Sequence, residues 1–260
     1  MLTGESGLPL YDCQVTKIFR FVIGLVVIAL LAAGCGSTND SKPSPSPSNS
    51  TTTTAASGDC VYPKDGSKAA RKAPIPPSKL PDDAPSAMTL QTNQGSIKIN
   101  LDTEQTPCTV NSFISLAKSG YFDDTKCHRL VDNAPGQTDG TLFVLQCGDP
   151  SATGQGGPGY SFSDELIEND PRVQPCEDYQ GTSVCTYTQG TVAMANAGPD
   201  TNGSQFFLVF KNSRLPNSYT VFGHMDAAGV KVVEKIAKGG YDAANPNTPP
   251  NTETIIEKVS

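Results

Sequence analysis

Apolar and polar residues alternate along "MTLQTNQGSIKINL", Met88 to Leu101, on both sides of Asn93-Gln94-Gly95. A period of two around a turn triplet predicts a β-hairpin with one buried face. The period then lengthens. In "TPCTVNSFISLAKSGYF", Val110, Phe113, Ile114 and Ala117 recur at helical spacing. Thr106 is placed to cap this helix, Pro107 suits its first turn, and Gly120 stops it. Short strand-like runs follow in "KCHRLV", "LFVLQCG", "GTVAMAN", "SQFFLVF" and "YTVFGHM". A second helix is predicted in "DAAGVKVVEKIAKGG", with Val230, Val233 and Ile236 on one side, and "ETIIEKVS" reads as a closing strand. Two well-separated helices among many strands do not make repeated βαβ units. The expected fold is mainly β, a closed antiparallel barrel capped by two α-helices.

Before Met88 the patterning is different. Lys17 and Arg20 precede the apolar run "FVIGLVVIALLAAGC", Phe21 to Cys35. A basic flank, an apolar core and small residues at its end form a secretory signal. The core is about a dozen residues, against roughly 20 needed to span a bilayer. "LAAGC" resembles a bacterial lipobox with Cys35 as the lipid-accepting residue, although Leu31 stands one place early and Ala32 occupies its usual position; a plain signal anchor is the other reading. The first 14 residues lie ahead of this architecture, and Val15 is a candidate start. Residues 36–59 are rich in Ser, Thr and Pro, cannot form a core, and read as a disordered tether. Residues 60–87 keep many prolines and few apolar side chains, and read as an extended arm hugging the domain, pinned through Cys60. The folded domain is assigned to 88–260.

The formal charge of −7 argues against a nucleic-acid partner, which requires a basic face. The eight cysteines suit an exported chain, where disulfides persist. "GQGGPG", Gly154 to Gly159, satisfies G-x-G-x-x-G, but Pro158 and the surrounding loop chemistry deny it the helix that a dinucleotide site needs, so it reads as a turn. His128 and His224 have no CxxC or spaced His pair to join, so neither a metal nor a cofactor is expected.

Strand alternation also sorts the remaining polar residues. In "SQFFL", Phe206 and Leu208 share one face, and Gln205 and Phe207 the other. In "FVLQ", Val144 and Gln146 share a face. In "CHRL", Arg129 points away from His128 and Leu130. Three strands thus offer an arginine, two glutamines and a phenylalanine on a surface that need not be core. Singly, such residues are ordinary surface.

Together, "CHRLV", "LFVLQCGDP", "GTVAMANAGPDTNGSQFF" and "LPNSYTVFG" resemble the cyclophilins, the cyclosporin-binding class of peptidyl-prolyl cis-trans isomerases. The resemblance covers Met88 to Ser260. It implies an eight-stranded closed β-barrel with two helices and an outer groove for Pro-containing peptides. It also implies catalytic roles for Arg129, Phe143, Gln146, Asn196 and Gln205, and substrate contacts from Val144, Ala195, Ala197, Phe207, Leu215 and Tyr219. Phe143, Phe207 and Leu215 would wall the proline pocket, and the Asn196 main chain would hold the residue before proline. Val144 replaces the family's usual methionine, Tyr219 its histidine, and Arg214 the tryptophan that contacts cyclosporin.

The expected activity is rotation about Xaa-Pro bonds in unfolded exported proteins by a lipid-anchored, extracytoplasmic monomer. A proline-peptide binding module with little turnover is the alternative, and a redox protein would need an exposed low-pKa thiol. Cys60, Cys108, Cys127, Cys147, Cys176 and Cys185 admit fifteen pairings. Cys176 with Cys185, flanking the local loop "EDYQGTSV", is the first choice, and Cys108 with Cys127 the second.

Overall fold

Asn93 and Gln94 turn the chain between β1 (Ala87–Thr92) and β2 (Gly95–Leu101), which pair antiparallel with Thr92 opposite Gly95. The computed structural model describes residues 59–132 and 141–260. The signal segment, Cys35 and the tether up to residue 58 lie outside the described residues. Within the hairpin the predicted alternation holds: Met88, Leu90, Ile97, Ile99 and Leu101 are all buried.

Helix α1 (Pro107–Lys118) forms where predicted, but Thr106 does not cap it with its side chain. The Thr106 hydroxyl donates back to the Asp102 carbonyl. The carboxylate of Glu165 caps instead, accepting from the Cys108 and Thr109 amides at 3.0 and 2.7 Å. A carboxylate at a helix N-terminus satisfies otherwise orphaned N–H groups and complements the helix dipole. The arm covers a second side of α1. Asn111 donates to the Tyr62 hydroxyl and the Pro77 carbonyl, and the Tyr62 hydroxyl donates to Cys108 O. Helix α2 (Ala227–Lys238) is capped by Asp226, which accepts from the Gly229 amide at 2.7 Å. Val233 and Ile236 face the core, and Val230 is half-buried against it. Gly229 lets α2 approach β2, because a Cβ there would stand 3.1 Å from Ile97.

The remaining strands are β3 (Thr125–Lys126), β4 (Arg129–Asp132), β5 (Phe143–Cys147), β6 (Val173–Tyr179), β7 (Thr182–Tyr187), β8 (Thr191–Met194), β9 (Phe206–Val209), β10 (Ser213–Pro216), β11 (Val221–Met225) and β12 (Ile255–Val259). Nine of the twelve form one sheet in the order β3-β12-β1-β2-β11-β8-β9-β5-β4. The expected eight-stranded closed ladder is therefore replaced by nine strands with two ends. The reason lies at Cys127-His128. The Cys127 amide bonds toward β12, at Thr254 O, while the His128 amide bonds toward β5, at Gln146 O. One extended run is thereby divided into two short strands with different neighbours.

The other three strands form a second sheet, β10-β7-β6. The segment expected to be a loop between Cys176 and Cys185 is a hairpin. Gln180 and Gly181 both have positive φ, 54° and 82°, the arrangement of a two-residue hairpin turn. Arg172 anchors its base by pairing with Asp170 and Asp102. The main core, including Leu90, Phe113, Phe122, Phe206 and Phe222, lies between the nine-stranded sheet and the helices. A second apolar cluster gathers Val144, Ala193, Phe207, Val209 and Val221 of that sheet with Val173, Cys185 and Tyr187 of the small one. Phe207 thus faces away from the main core as expected, yet it is roofed rather than exposed.

Three disulfides join Cys60 to Cys108, Cys127 to Cys147, and Cys176 to Cys185. The pairing expected across the hairpin is present. Cys108 with Cys127 is not: Cys108 holds the arm through Cys60, and Cys127 faces β5.

Candidate functional site

The register brings the site together. Arg129 lies opposite Gln146 on β4 and β5, Gln146 opposite Phe207 on β5 and β9, and Phe207 opposite Ala193 on β9 and β8. One row of residues therefore crosses four strands, with Arg129 at its open end. Two residues after Ala193, the chain leaves β8 as Ala195-Asn196. Just before β9 it passes through Gln205, whose main-chain carbonyl accepts from Ala195 N at 2.9 Å.

A cavity of about 190 Å³ opens on this row. Val144, Phe207 and Leu215 supply apolar wall, Arg129 and Gln146 stand at one side, and Ala195, Asn196 and Tyr219 at another. Leu215 arrives on β10, held opposite Cys185 of β7. The Tyr219 ring packs edge-on against Phe207 with centroids 5.4 Å apart. Asn196 ties this wall to the sheet, its side chain donating to Ser218 O at 2.7 Å. Burial lowers the Arg129 pKa, an effect partly opposed by Tyr219. A desolvated guanidinium interacts more strongly with a polar group brought beside it.

Phe143 is the expected residue that borders neither this cavity nor the adjoining one. Its ring packs with Phe210 in the main core, under the Lys211 ammonium, and does not line this cavity. Leu142, which the sequence reading passed over, lines it instead. Alternation decides this: Val144 and Gln146 face the groove, so Phe143, between Leu142 and Val144, faces the other way.

The two glutamines form a relay rather than a pair of free amides. Arg129 Nη1 donates to Gln146 Oε1 at 3.3 Å, and Gln146 Nε2 donates to Gln205 Oε1 at 2.8 Å. Gln205 Nε2 donates in turn to the carbonyls of Gly154 and Gly156, each at 3.0 Å. From the other side, the same loop is gathered around Asp149, whose buried carboxylate accepts from the amides of Ser151, Thr153, Gly154 and Gly156. Gly156 is obligatory here, since a Cβ would stand 1.9 Å from Asp149 Oδ1. Burial alone would raise the Asp149 pKa; the bonds from Ser151 and Gly156, with His128 nearby, outweigh it and hold the carboxyl below its ordinary range. His128 is buried, as expected of a core histidine, and burial lowers its pKa. The Gly154–Gly159 stretch is thus a groove-side turn, and Asp149 is the organising residue that the sequence reading missed.

A second cavity, of about 350 Å³, shares Gln146, Ala195 and Asn196 with the first. Gln205 and Ala197 belong to this one. Among the described residues, no cluster of His, Cys, Asp and Glu side chains is arranged to hold a metal.

The arrangement offers an apolar recess, a desolvated cation at its edge, and fixed amides between the two. Residues 87–260 match the family described as cyclophilin type peptidyl-prolyl cis-trans isomerase/CLD. The chain is 46% identical over 209 residues to a probable peptidyl-prolyl cis-trans isomerase B of Mycobacterium leprae, covering 77% of this chain and 66% of that protein. A Mycobacterium tuberculosis protein of the same description is 43% identical, with 77% and 63% covered. The chain therefore spans somewhat less than two thirds of the length of these relatives. A crystal structure of a Cryptosporidium parvum cyclophilin type isomerase, determined in the presence of the dipeptide Ala-Pro, superposes with a TM-score of 0.51 at 28% identity, covering 66% of this chain and 96% of that one.

Proposed function

The chain belongs to the cyclophilin type peptidyl-prolyl cis-trans isomerases, and from that premise we propose that its groove rotates Xaa-Pro bonds in unfolded exported proteins. The observation that carries the reading is Arg129 beside the recess walled by Val144, Phe207 and Leu215. The barrier to rotation is amide resonance, roughly 18–20 kcal/mol. Lowering it requires a site that favours the twisted amide over the planar one. In the twisted state the proline nitrogen is pyramidal and carries a lone pair. The Arg129 guanidinium can donate to that lone pair, which the planar ground state does not offer. The recess holds the proline ring, the Asn196 main chain holds the preceding residue, and Gln146 sits by the moving carbonyl. Leu142 takes the wall position expected of Phe143. No proton transfer or covalent step is involved; catalysis comes from preorganised donors and positioning.

A proline-isomerisation assay with Arg129→Ala tests this. Both kcat and kcat/KM should fall by two to three decades, about 3–4 kcal/mol of transition-state stabilisation, with peptide affinity nearly intact. A correctly folded variant turning over at the natural rate would show that Arg129 is not the catalytic residue, and a natural sequence with little turnover would favour the binding-module reading instead.

Export and a lipid anchor at Cys35 belong to the same proposal. Three disulfides support an oxidising compartment. Cys35→Ala should abolish membrane partition or processing; unchanged partition and unchanged mature mass would overturn the anchor. We also read the nine-stranded ladder as an eight-membered barrel in which Thr125–Asp132 counts as one bent strand. The Cys127 and His128 amide bonds to Thr254 and Gln146 support that count.

A further inference from the structure

The second cavity has a wall that the matched domain does not supply. Asp65 and Ser67 of the arm line it, together with Ala197 and Thr201 of the matched domain. The arm is fixed in this place by main-chain bonds on both sides of Asp65. Ser161 N–H donates to Pro63 O at 3.1 Å, Ala70 N–H donates to Gly157 O at 2.9 Å, and Lys64 forms a β-bridge with Tyr160. The Cys60–Cys108 disulfide anchors it upstream. Among the described residues, Asp65 is the one charged side chain that lines the cavity. Its Oδ1 accepts from the Ser67 amide and hydroxyl at 2.8 and 2.6 Å, which orients the carboxylate. Among the described residues it has no ion-pair partner.

We propose that Asp65 is a specificity residue, giving the groove a preference for substrates with Lys or Arg two positions before the proline. The inference rests on the isomerase reading of the first cavity and on Asn196 holding the residue before proline. Asn196 borders both cavities. In an extended chain, residues two apart project to the same side, roughly 6.5–7 Å from one another. With the proline in the first cavity, the side chain two positions upstream enters the second. The neutral hydroxyls and amides there accept many side chains. Asp65 alone distinguishes charge, attracting an ammonium or guanidinium and repelling a carboxylate.

The test uses the full chain and a peptide series, Xaa-Ala-Pro-Phe, in which Xaa is Lys, Ala or Glu. For the natural sequence, kcat/KM should be about two- to fivefold higher for Lys than for Ala, the size of an exposed ion pair, and lower for Glu than for Ala. The preference should shrink in 1 M salt, as exposed charges are screened. Asp65→Asn keeps an acceptor for Ser67 while removing the charge, and should bring the Lys-to-Glu ratio close to one. Asp65→Lys should invert it. An unchanged ratio in both variants, with folding verified by circular dichroism, would overturn the assignment. Binding of the same peptides, read by fluorescence anisotropy, separates the two proposals. A charge preference that inverts with Asp65→Lys in the absence of any turnover would sink the isomerase reading and keep Asp65.

Discussion

Gln146 donates from Nε2 to Oε1 of Gln205 across 2.8 Å, and this one bond joins the Arg129 guanidinium to the loop at Gly154 and Gly156. The orientation of each amide follows from its neighbours. Gln205 must present its NH₂ to two carbonyls, so its oxygen faces Gln146. Gln146 must then present its NH₂ to that oxygen, which leaves its own oxygen for Arg129. A cation at one end and two carbonyls at the other fix the polarity of the whole relay.

Gln205→Leu should therefore act at a distance. The carbonyls of Gly154 and Gly156 lose their donor, and Gln146 becomes free to turn its amide away from Arg129. Amide hydrogen exchange should accelerate at residues 154–156. The value of kcat/KM should fall about tenfold, ~1.4 kcal/mol, the scale of one hydrogen bond. Unaltered exchange in that loop would remove the relay from consideration.

The disulfides should differ in worth. In the chain-entropy view, the bridge closing the longer loop stabilises more. Cys60–Cys108 spans 48 residues and Cys176–Cys185 spans 9. Replacing the pairs by alanine should cost about 4 and about 2.5 kcal/mol respectively on that relation, read from urea midpoints. The shorter bridge has a second effect, because Cys185 lies opposite Leu215 of the cavity wall. Its loss should raise KM, whereas a KM left at the natural value would mean that β10 holds Leu215 unaided.

Stability should decline in two steps as pH falls. The His128 pKa is lowered from its ordinary 6.5 by burial, so the unfolded chain takes up a proton that the folded chain refuses. That contribution is complete above about pH 6.5 and is lost as pH falls from there toward the folded value. Asp149 behaves as a depressed carboxylate, so its contribution is present above its ordinary 3.8 and is lost as pH falls through its lower folded value. Melting temperatures from pH 8 to pH 3 should show both declines. His128→Gln should remove the first and spare the second; a wild-type curve flat between pH 7 and pH 5 would count against the assignment.

Cyclosporin should bind weakly. Arg214 stands where the drug-binding members of the family carry tryptophan, and it pairs with Glu177 of β6 at 3.0 Å. An indole supplies a broad apolar face and an N–H donor that a guanidinium engaged with a carboxylate does not reproduce. Arg214→Trp should tighten the drug measurably by calorimetry, and tight binding by the natural sequence would refute the reasoning.

Much of this arrangement was legible as pattern. Alternation placed Phe206 and Leu208 in the core and turned Gln205 and Phe207 the other way, and the period change located both helices. The failures share a cause: each depends on a partner far along the chain. Thr106 has the right residue type for a cap, but Glu165, 57 residues from Cys108, occupies the role. The β6–β7 hairpin is buried only toward its base, at Val173, Cys185 and Tyr187, and exposed toward its turn, so most of β6 carries no apolar alternation to read. Cys60 found Cys108 because the arm crosses α1, which no local spacing reveals. Phe143 shows the opposite lesson. Strand alternation alone assigns it to the face away from Val144 and Gln146, and that elementary rule outweighed the family's usual placement.

The strand Ile255–Val259 lies between β1 and β3, with Leu90 opposite Val259 and Thr125 opposite Ile256. The first hairpin of the domain can form early, but one edge of it stays bare until a segment more than a hundred and fifty residues later has been made. For a polypeptide that emerges residue by residue, this imposes an order of events. Until that last ribbon emerges, β1 offers an unpaired edge, the kind of surface that recruits foreign strands. Pairing across so long a separation is slow. A protein read as a helper of other chains is thus itself exposed on emergence, and removing Ile255–Val259 would leave it permanently in that open form.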